Sequence, residues 1–299
     1  MQSAVARPGT GVPPRGQGIN GRLAVVLLAT IVVVFMAAAV GFAFSQRWRQ
    51  SERLVAPGLR HPRGIAIVRP DLLAIAEAGP PGRLSWISTS ESSRGTVIEG
   101  LPSEELGGGP AGPVAVALGA DLRLYALTGG CAAPLCAALL WRADAGSLAV
   151  VANLRDLAPA GRSDPWGLAI APDGVLYLTD PGAGAIVRVD PRASPAAAVV
   201  LAQPGQPADP RGIARAGDGS LYVALRGAGT VARLAPDGAL TPIVAGLERP
   251  IGVGVEPDGR LLVLEQGRER AGRLLRVDPA RPLDRGVVSA DLDRPTALA

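Results

Sequence analysis

DPWGLAIAPDGVLYLTDPGAGAIVRVDP, running from Asp164 to Pro191, decides the fold. It divides into three short strands joined by two tight turns. Gly167 to Ala171 is small and apolar, as a strand crowded on both faces must be. Pro172-Asp173-Gly174 then turns the chain, proline presetting φ and glycine tolerating φ > 0. Val175 to Thr179 alternates with period two. A Gly/Pro-rich loop from Asp180 to Gly184 leads to a third alternating strand, Ile186 to Val189, closed by Asp190-Pro191. Ala197 to Ala202 supplies a fourth. Four antiparallel strands in this order make one twisted sheet, and a sheet of this kind that recurs along a chain is a blade of a β-propeller.

It does recur. A proline beside a small or polar residue announces each innermost strand: HPRGIAI at Pro62, GPVAVAL at Pro113, DPWGLAI at Pro165, DPRGIAR at Pro210, RPIGVGV at Pro250 and RPTALA at Pro295. These prolines lie 51, 52, 45, 40 and 45 residues apart, the period of propeller blades. The second strands (LLAIAEAG, LRLYALTGG, VLYLTDPG, SLYVALRG, LLVLEQG) and the third and fourth strands keep the same order. Five full blades result. RLVAPGL before them reads as an outer strand without a blade, and RPTALA after them as an inner strand without one. The expectation is an all-β propeller of five full blades plus an incomplete sixth, in which Val55–Leu59 and Thr296–Ala299 come together and remove a sheet edge.

Ahead of residues 55–299, the expected propeller, stands a different kind of chain. Residues 1–22 are polar and rich in Gly and Pro, too poor in apolar surface to fold alone, and read as a disordered cytoplasmic tail. Residues 23–44 hold 22 positions without a charge. As a helix they would reach about 33 Å, enough for the hydrocarbon core of a bilayer. A cleaved signal peptide is the competing reading, but its apolar core usually runs only about 7–15 residues. We read a transmembrane helix followed by an arginine-bearing neck over 45–54. Three arginines flank each side of the span within short range, so the positive-inside count does not orient it. The two cysteines do. Cys131 and Cys136 have no histidine or second pair nearby to make a zinc site, and read as a local disulfide, with two reduced buried thiols as the alternative. A disulfide places the propeller on the extracytoplasmic side of the membrane.

Composition narrows the partners. Hydrophobic residues make up 48% of the chain but aromatic ones only 3%, so Ala, Val, Leu and Ile must build the core. The net charge of +4 comes from dispersed arginines without interleaved aromatics, which argues against nucleic acid as a partner.

The repeats resemble NHL-type propellers, which are six-bladed. The order of GLRHPRGIAI and LLAIAEAG, GLPSEELGGGPAGPVAVAL, ANLRDL, SDPWGLAIAPDGVLYLTDPGAGAIVRVDP and PIGVGVEPDGRLLVLEQG is most similar to the ScyD/ScyE family of bacterial secreted propellers. The resemblance covers most of residues 52–299. It implies the fold and an extracytoplasmic setting, and carries no established activity with it.

Propeller geometry then says where function sits. The loops leading into innermost strands and those joining second to third strands share one face. His61, Arg63, Glu77, Trp166, Asp180, Arg211, Arg226 and Glu265 are therefore expected to ring one mouth of the central channel as ligand-binding residues, with Asp164, Asp209 and Arg249 beside them. The competing reading makes Asp164, Asp209, Asp180 and Glu265 turn or blade-junction residues. A protein segment, a glycan or a small anionic molecule is the expected ligand. The alternative function is a metal-dependent hydrolase of the lactonase or gluconolactonase type, with oxygens of Glu77, Asp180 and Glu265 around a hard cation such as calcium. The asparagine ligands of such enzymes lack equivalents, since the chain has only Asn20 and Asn153. His61 is the only histidine and there is no lysine, so neither a quinone-dependent dehydrogenase site nor a Ser-His-Asp set can be assembled on those families' patterns.

Overall fold

The computed structural model describes residues 55–299, apart from 107–108, 130–137, 145, 158–161, 194–195 and 268–270. The expected tail, span and neck, and both cysteines, lie outside the described residues. Among the described residues no helix is long and apolar enough to cross a membrane.

The chain folds as five antiparallel sheets laid out in sequence order. Blade 1 is β1 (Pro62–Arg69), β2 (Leu72–Glu77), β3 (Gly82–Ser88) and β4 (Arg94–Leu101). Blade 2 has five strands: β5 (Glu104–Leu106), β6 (Gly109–Leu118), β7 (Leu124–Gly129), β8 (Leu139–Asp144) and β9 (Ser147–Asn153). Blade 3 is β10 (Gly167–Ile170), β11 (Leu176–Asp180), β12 (Ala185–Asp190) and β13 (Ala197–Ala202). Blade 4 is β14 (Pro210–Arg215), β15 (Leu221–Leu225), β16 (Thr230–Leu234) and β17 (Leu240–Val244). Blade 5 is β18 (Pro250–Val255), β19 (Leu261–Glu265), β20 (Ala271–Asp278) and the long β21 (Arg281–Asp293). The turns are those expected: Gly174, Gly219, Gly238 and Gly259 all take positive φ after an Asp.

The apolar core lies between blades. Alternating residues of the second and third strands meet their counterparts in the next blade in four clusters. Leu84 and Val116 belong to the one joining blades 1 and 2, Leu127 and Leu178 to the next. Ile186 and Val223 join blades 3 and 4, and Val231 and Leu261 join blades 4 and 5. Nearer the axis, glycines bring the innermost strands into contact. A Cβ on Gly64 would stand 2.6 Å from Ala115 Cα, one on Gly167 2.5 Å from the Arg211 carbonyl oxygen, and one on Gly212 2.7 Å from Gly252 Cα.

The seam between blades 5 and 1 is built differently, and it corrects the expected sixth blade. Neither 55–59 nor 295–299 forms a strand, so the propeller has five blades. Without second and third strands, the two fragments have no hairpin on which to pair. No strand pairing joins them. The Arg94 guanidinium of β4 donates to the Pro57 carbonyl oxygen at 2.5 Å, holding the N-terminal fragment on blade 1. The C-terminal fragment does take the place of an innermost strand: Pro295 lies against Gly272, Leu298 against Gly252 and Gly254, and the Thr296 hydroxyl donates to the Pro62 carbonyl oxygen at 3.3 Å. Even its lead-in is that of a blade. Arg294 takes a left-handed φ of 47° before proline, as His61, Asp209 and Arg249 do at 52°, 49° and 54°. Leu298→Ala is therefore expected to lower stability by about 1–2 kcal/mol, short of a full core leucine because the side chain is only half-buried. A urea titration of the full chain measures it, and an unchanged midpoint would mean that the seam closes without this segment.

Candidate functional site: an arginine-bearing mouth

In blades 1, 4 and 5 the second strand ends on the mouth face at a position directly across from the residue that opens the innermost strand. In blades 1 and 5 a glutamate stands there: Pro62 pairs with Glu77 and Pro250 with Glu265. Both are fully buried, and Asp180, at the end of β11, is nearly so. These three carboxylates do not gather around a common point. Each one ties the end of its strand to the segment that leads into the innermost strand of the same blade.

Glu77 accepts from the Arg60 N–H at 2.5 Å, from Arg83 through Nε and Nη2 at 2.9 Å each, and from the Ser85 hydroxyl. Burial pushes its pKa up, but the bonds from Arg83, Ser85 and the Arg60 backbone outweigh burial and hold it below the ordinary glutamate range. Glu265 accepts from the Glu248 N–H at 2.6 Å and from Arg273 Nε. Asp180 takes the Asp164 and Ala183 N–H groups at 2.9 and 3.0 Å, with the Ser163 hydroxyl on its other oxygen. Among the described residues, no group of three His, Cys, Asp or Glu side chains is placed to hold a metal ion. A calcium held by Glu77, Asp180 and Glu265 together would need these junctions taken apart.

Blade 4 has Leu225 where a carboxylate would stand, and solves the same problem with Asp209. Its two oxygens bind Arg211 Nε at 2.7 Å and Arg226 Nη1 at 2.6 Å, while its backbone carbonyl accepts from the Arg226 N–H at 3.0 Å. Arg226 reaches on to Gln266 Oε1 at 3.5 Å. Arg211 is thereby aimed across the neighbouring blade, where its guanidinium carbon lies 4.2 Å from the ring centroid of Trp166, within the range of a cation–π contact. Arg63 approaches from blade 1, donating to the Pro110 carbonyl oxygen at 3.3 Å. Burial lowers its pKa, Asp164 opposes that, and the positive charge of Arg211 adds to it. It stays charged all the same.

The mouth thus divides the expected residues in two. Arg63, Trp166, Arg211 and Arg226 form a connected, half-buried cationic surface at the head of the channel. Glu77, Asp180 and Glu265 lie beneath it as junctions. His61 is exposed at its left-handed lead-in, with its carbonyl bound by the Ala78 N–H at 3.1 Å. The partnership of Asp209 with both arginines, and Gln266, went unread in the sequence; the Asp-Pro-Arg spacing at 209–211 was the available sign. Below the mouth the channel is tight. Arg63, Trp166, the inner-strand glycines and Thr296–Leu298 surround a cavity of about 70 Å³, room for about two waters.

No protein-family model matches the chain, and no curated protein matches it. Solved structures do. A chain of a nidogen/laminin complex is similar over 79% of this chain and 83% of its own, at 17% identity and a TM-score of 0.60. The PQQ-bound aldose sugar dehydrogenase from Streptomyces coelicolor covers the same shares at 18% identity and a TM-score of 0.59. The virginiamycin B lyase from Staphylococcus aureus matches 79% of this chain and 73% of its own, at 16% identity and 0.57. Likeness at such identities speaks to the fold, and these relatives put one architecture to three different uses. The chain is a five-bladed β-propeller, and its likeness to these structures is one of fold.

Proposed function

We propose that this protein is a membrane-anchored, extracytoplasmic binding or scaffolding propeller whose mouth takes an anionic group of a protein segment, a glycan or a small molecule. What carries the reading is the cluster of Arg63, Arg211 and Trp166. Two guanidinium groups stand in each other's field, Arg63 partly removed from water with Asp164 as its counter-charge and Arg211 paired with Asp209, beside an indole that offers a flat apolar face. An anion between them relieves the repulsion and can accept hydrogen bonds from both. The narrow channel keeps such a ligand at the surface, as suits an extended partner better than a small enclosed substrate. The uncharged run over 23–44 supports the anchor, and the Cys131–Cys136 spacing supports the outer side.

The full chain in detergent, passed over arrays of acidic and neutral glycans and peptides, tests it. Acidic members should be retained at low salt and released as salt rises, neutral ones not at all. Arg211→Ala should lower retention at least about tenfold, by removing both a charge and the stack on Trp166. Equal retention of neutral members, or indifference to Arg211→Ala, would remove the mouth as the binding surface.

A further inference from the structure

Blade 1 breaks the repeat at one cross-strand pair. In blades 2, 3 and 4 the second strand carries a tyrosine facing an arginine of the third strand: Tyr125 with Arg142, Tyr177 with Arg188, Tyr222 with Arg233. Blade 5 keeps the bulk and the cation with Leu262 and Arg276. Blade 1 has Ala74 facing Trp86. A large side chain is missing from one strand, and the guanidinium opposite has become an indole.

An open cavity of about 490 Å³ adjoins this pair between blades 1 and 2, walled by Val68, Leu72, Ala74, Trp86, Leu118 and Leu124. Its rim comes from the β1–β2, β3–β4 and β6–β7 turns, on the face opposite the mouth. Trp86 is held in place from behind. A Cβ on Gly95 would stand 2.5 Å from Trp86 Nε1, so only glycine lets the indole lie there. Leu122, at a left-handed φ of 61°, stands 83% exposed on the rim. Three charged groups complete it. Arg69 and Asp71 neutralise each other at 2.8 Å, whereas among the described residues the exposed Glu91 carboxylate receives only the Ser93 hydroxyl, at 3.3 Å.

We propose that this cavity is a second binding site, distinct from the mouth, for a small molecule with an apolar body about the size of an aromatic ring and a cationic nitrogen. The ring takes the place that tyrosine holds in blades 2, 3 and 4. The nitrogen replaces their arginine, meeting the Trp86 face and the Glu91 carboxylate. The volume falls within the range of small-molecule sites, about 300–1,000 Å³.

Calorimetry on the full chain with phenylbutylamine, phenylbutanol and phenylbutyrate tests the site, since the three share a body and differ in charge. The amine should bind several-fold more tightly than the alcohol, and the acid most weakly. Glu91→Gln, an exposed change that leaves the fold alone, should bring the amine down to the affinity of the alcohol. Ala74→Tyr restores the ring of the other blades and should abolish binding of all three. Arg211→Ala, at the mouth, should leave the amine unaffected. Binding undetectable at millimolar amine, an amine-to-alcohol ratio unmoved by Glu91→Gln, or full amine binding by a folded Ala74→Tyr protein would each overturn the proposal.

Discussion

Glu77→Ala should destabilise the propeller by about 3–5 kcal/mol, enough to unfold a substantial part of the population at moderate temperature. The carboxylate is fully buried and holds four donors from two segments of chain, the lead-in at Arg60 and strand β3. Its removal leaves Arg83, whose side chain is only 16% exposed, with nothing but the exposed Glu99 at 3.7 Å. The Arg60 N–H loses its acceptor in the same stroke. Chemical denaturation of single and double variants reads the coupling: Arg83→Ala added to Glu77→Ala should cost little more, because the charge stranded by the first change is gone. The pH dependence has a definite sign. Glu77 titrates below its unfolded value, so its contribution is complete above the ordinary glutamate range, about pH 4.3, and is lost as pH falls through the lower, folded pKa. The experiment also separates two uses of this carboxylate. A ligand awaiting a hard cation would sit among other carboxylates, and its loss from metal-free protein would relieve repulsion and raise stability. A fall in stability assigns Glu77 to the structural network that joins Arg60, Arg83 and Ser85.

Much of this architecture was legible because it is repetitive. Period-two alternation, three Pro-Asp-Gly turns and a proline ahead of each innermost strand are local signals, and their recurrence along the chain leaves little room for another fold. Blade number was harder, since closure depends on whether terminal fragments can pair, and a fragment shows its pattern without its partner. Thr296–Leu298 did reach the channel wall as its innermost-strand pattern foretold; Val55–Leu59 went to Arg94, whose guanidinium no alternation rule anticipates. The mouth was readable in outline and not in its division of labour. Glutamate at the end of β2 looks the same in sequence whether it faces a ligand or a neighbouring arginine. What decides is that Arg83 and Ser85 return on the next strand, within reach of the same oxygens. The Arg211–Trp166 stack joins residues one blade apart and leaves no local trace. Ala74 and Trp86 stood in plain view as departures from the repeat, but an alanine in place of tyrosine means a cavity only once the neighbouring blade has been seen not to fill it.

Gly212→Val should destabilise the protein by about 3 kcal/mol or more, while Gly286→Val, also in a strand, should be neutral or mildly stabilising. The difference lies in what each new Cβ meets. At Gly212 it would lie 2.7 Å from Gly252 Cα and 2.9 Å from the Val253 nitrogen, both backbone atoms of the adjoining innermost strand. No rotamer relieves a clash with main chain, so β14 and β18 would have to separate, and the cluster containing Val231, Val253 and Leu261 would open with them. At Gly286, exposed on β21, nothing lies within 4 Å, and a β-branched residue there gains the strand preference that glycine lacks. Denaturation midpoints of the two variants, side by side, measure the contrast. The same contact bears on function. Glycines at 64, 167, 212 and 252 bring the innermost strands and Leu298 so close that the channel narrows to about 70 Å³. A ring drawn this tight leaves little room for a ligand along its axis, in keeping with the two binding surfaces proposed above, the arginine-bearing mouth and the cavity between blades 1 and 2. If Gly212→Val proves as harmless as Gly286→Val, the innermost strands can move apart at little cost, and the channel itself becomes a place where a ligand could enter.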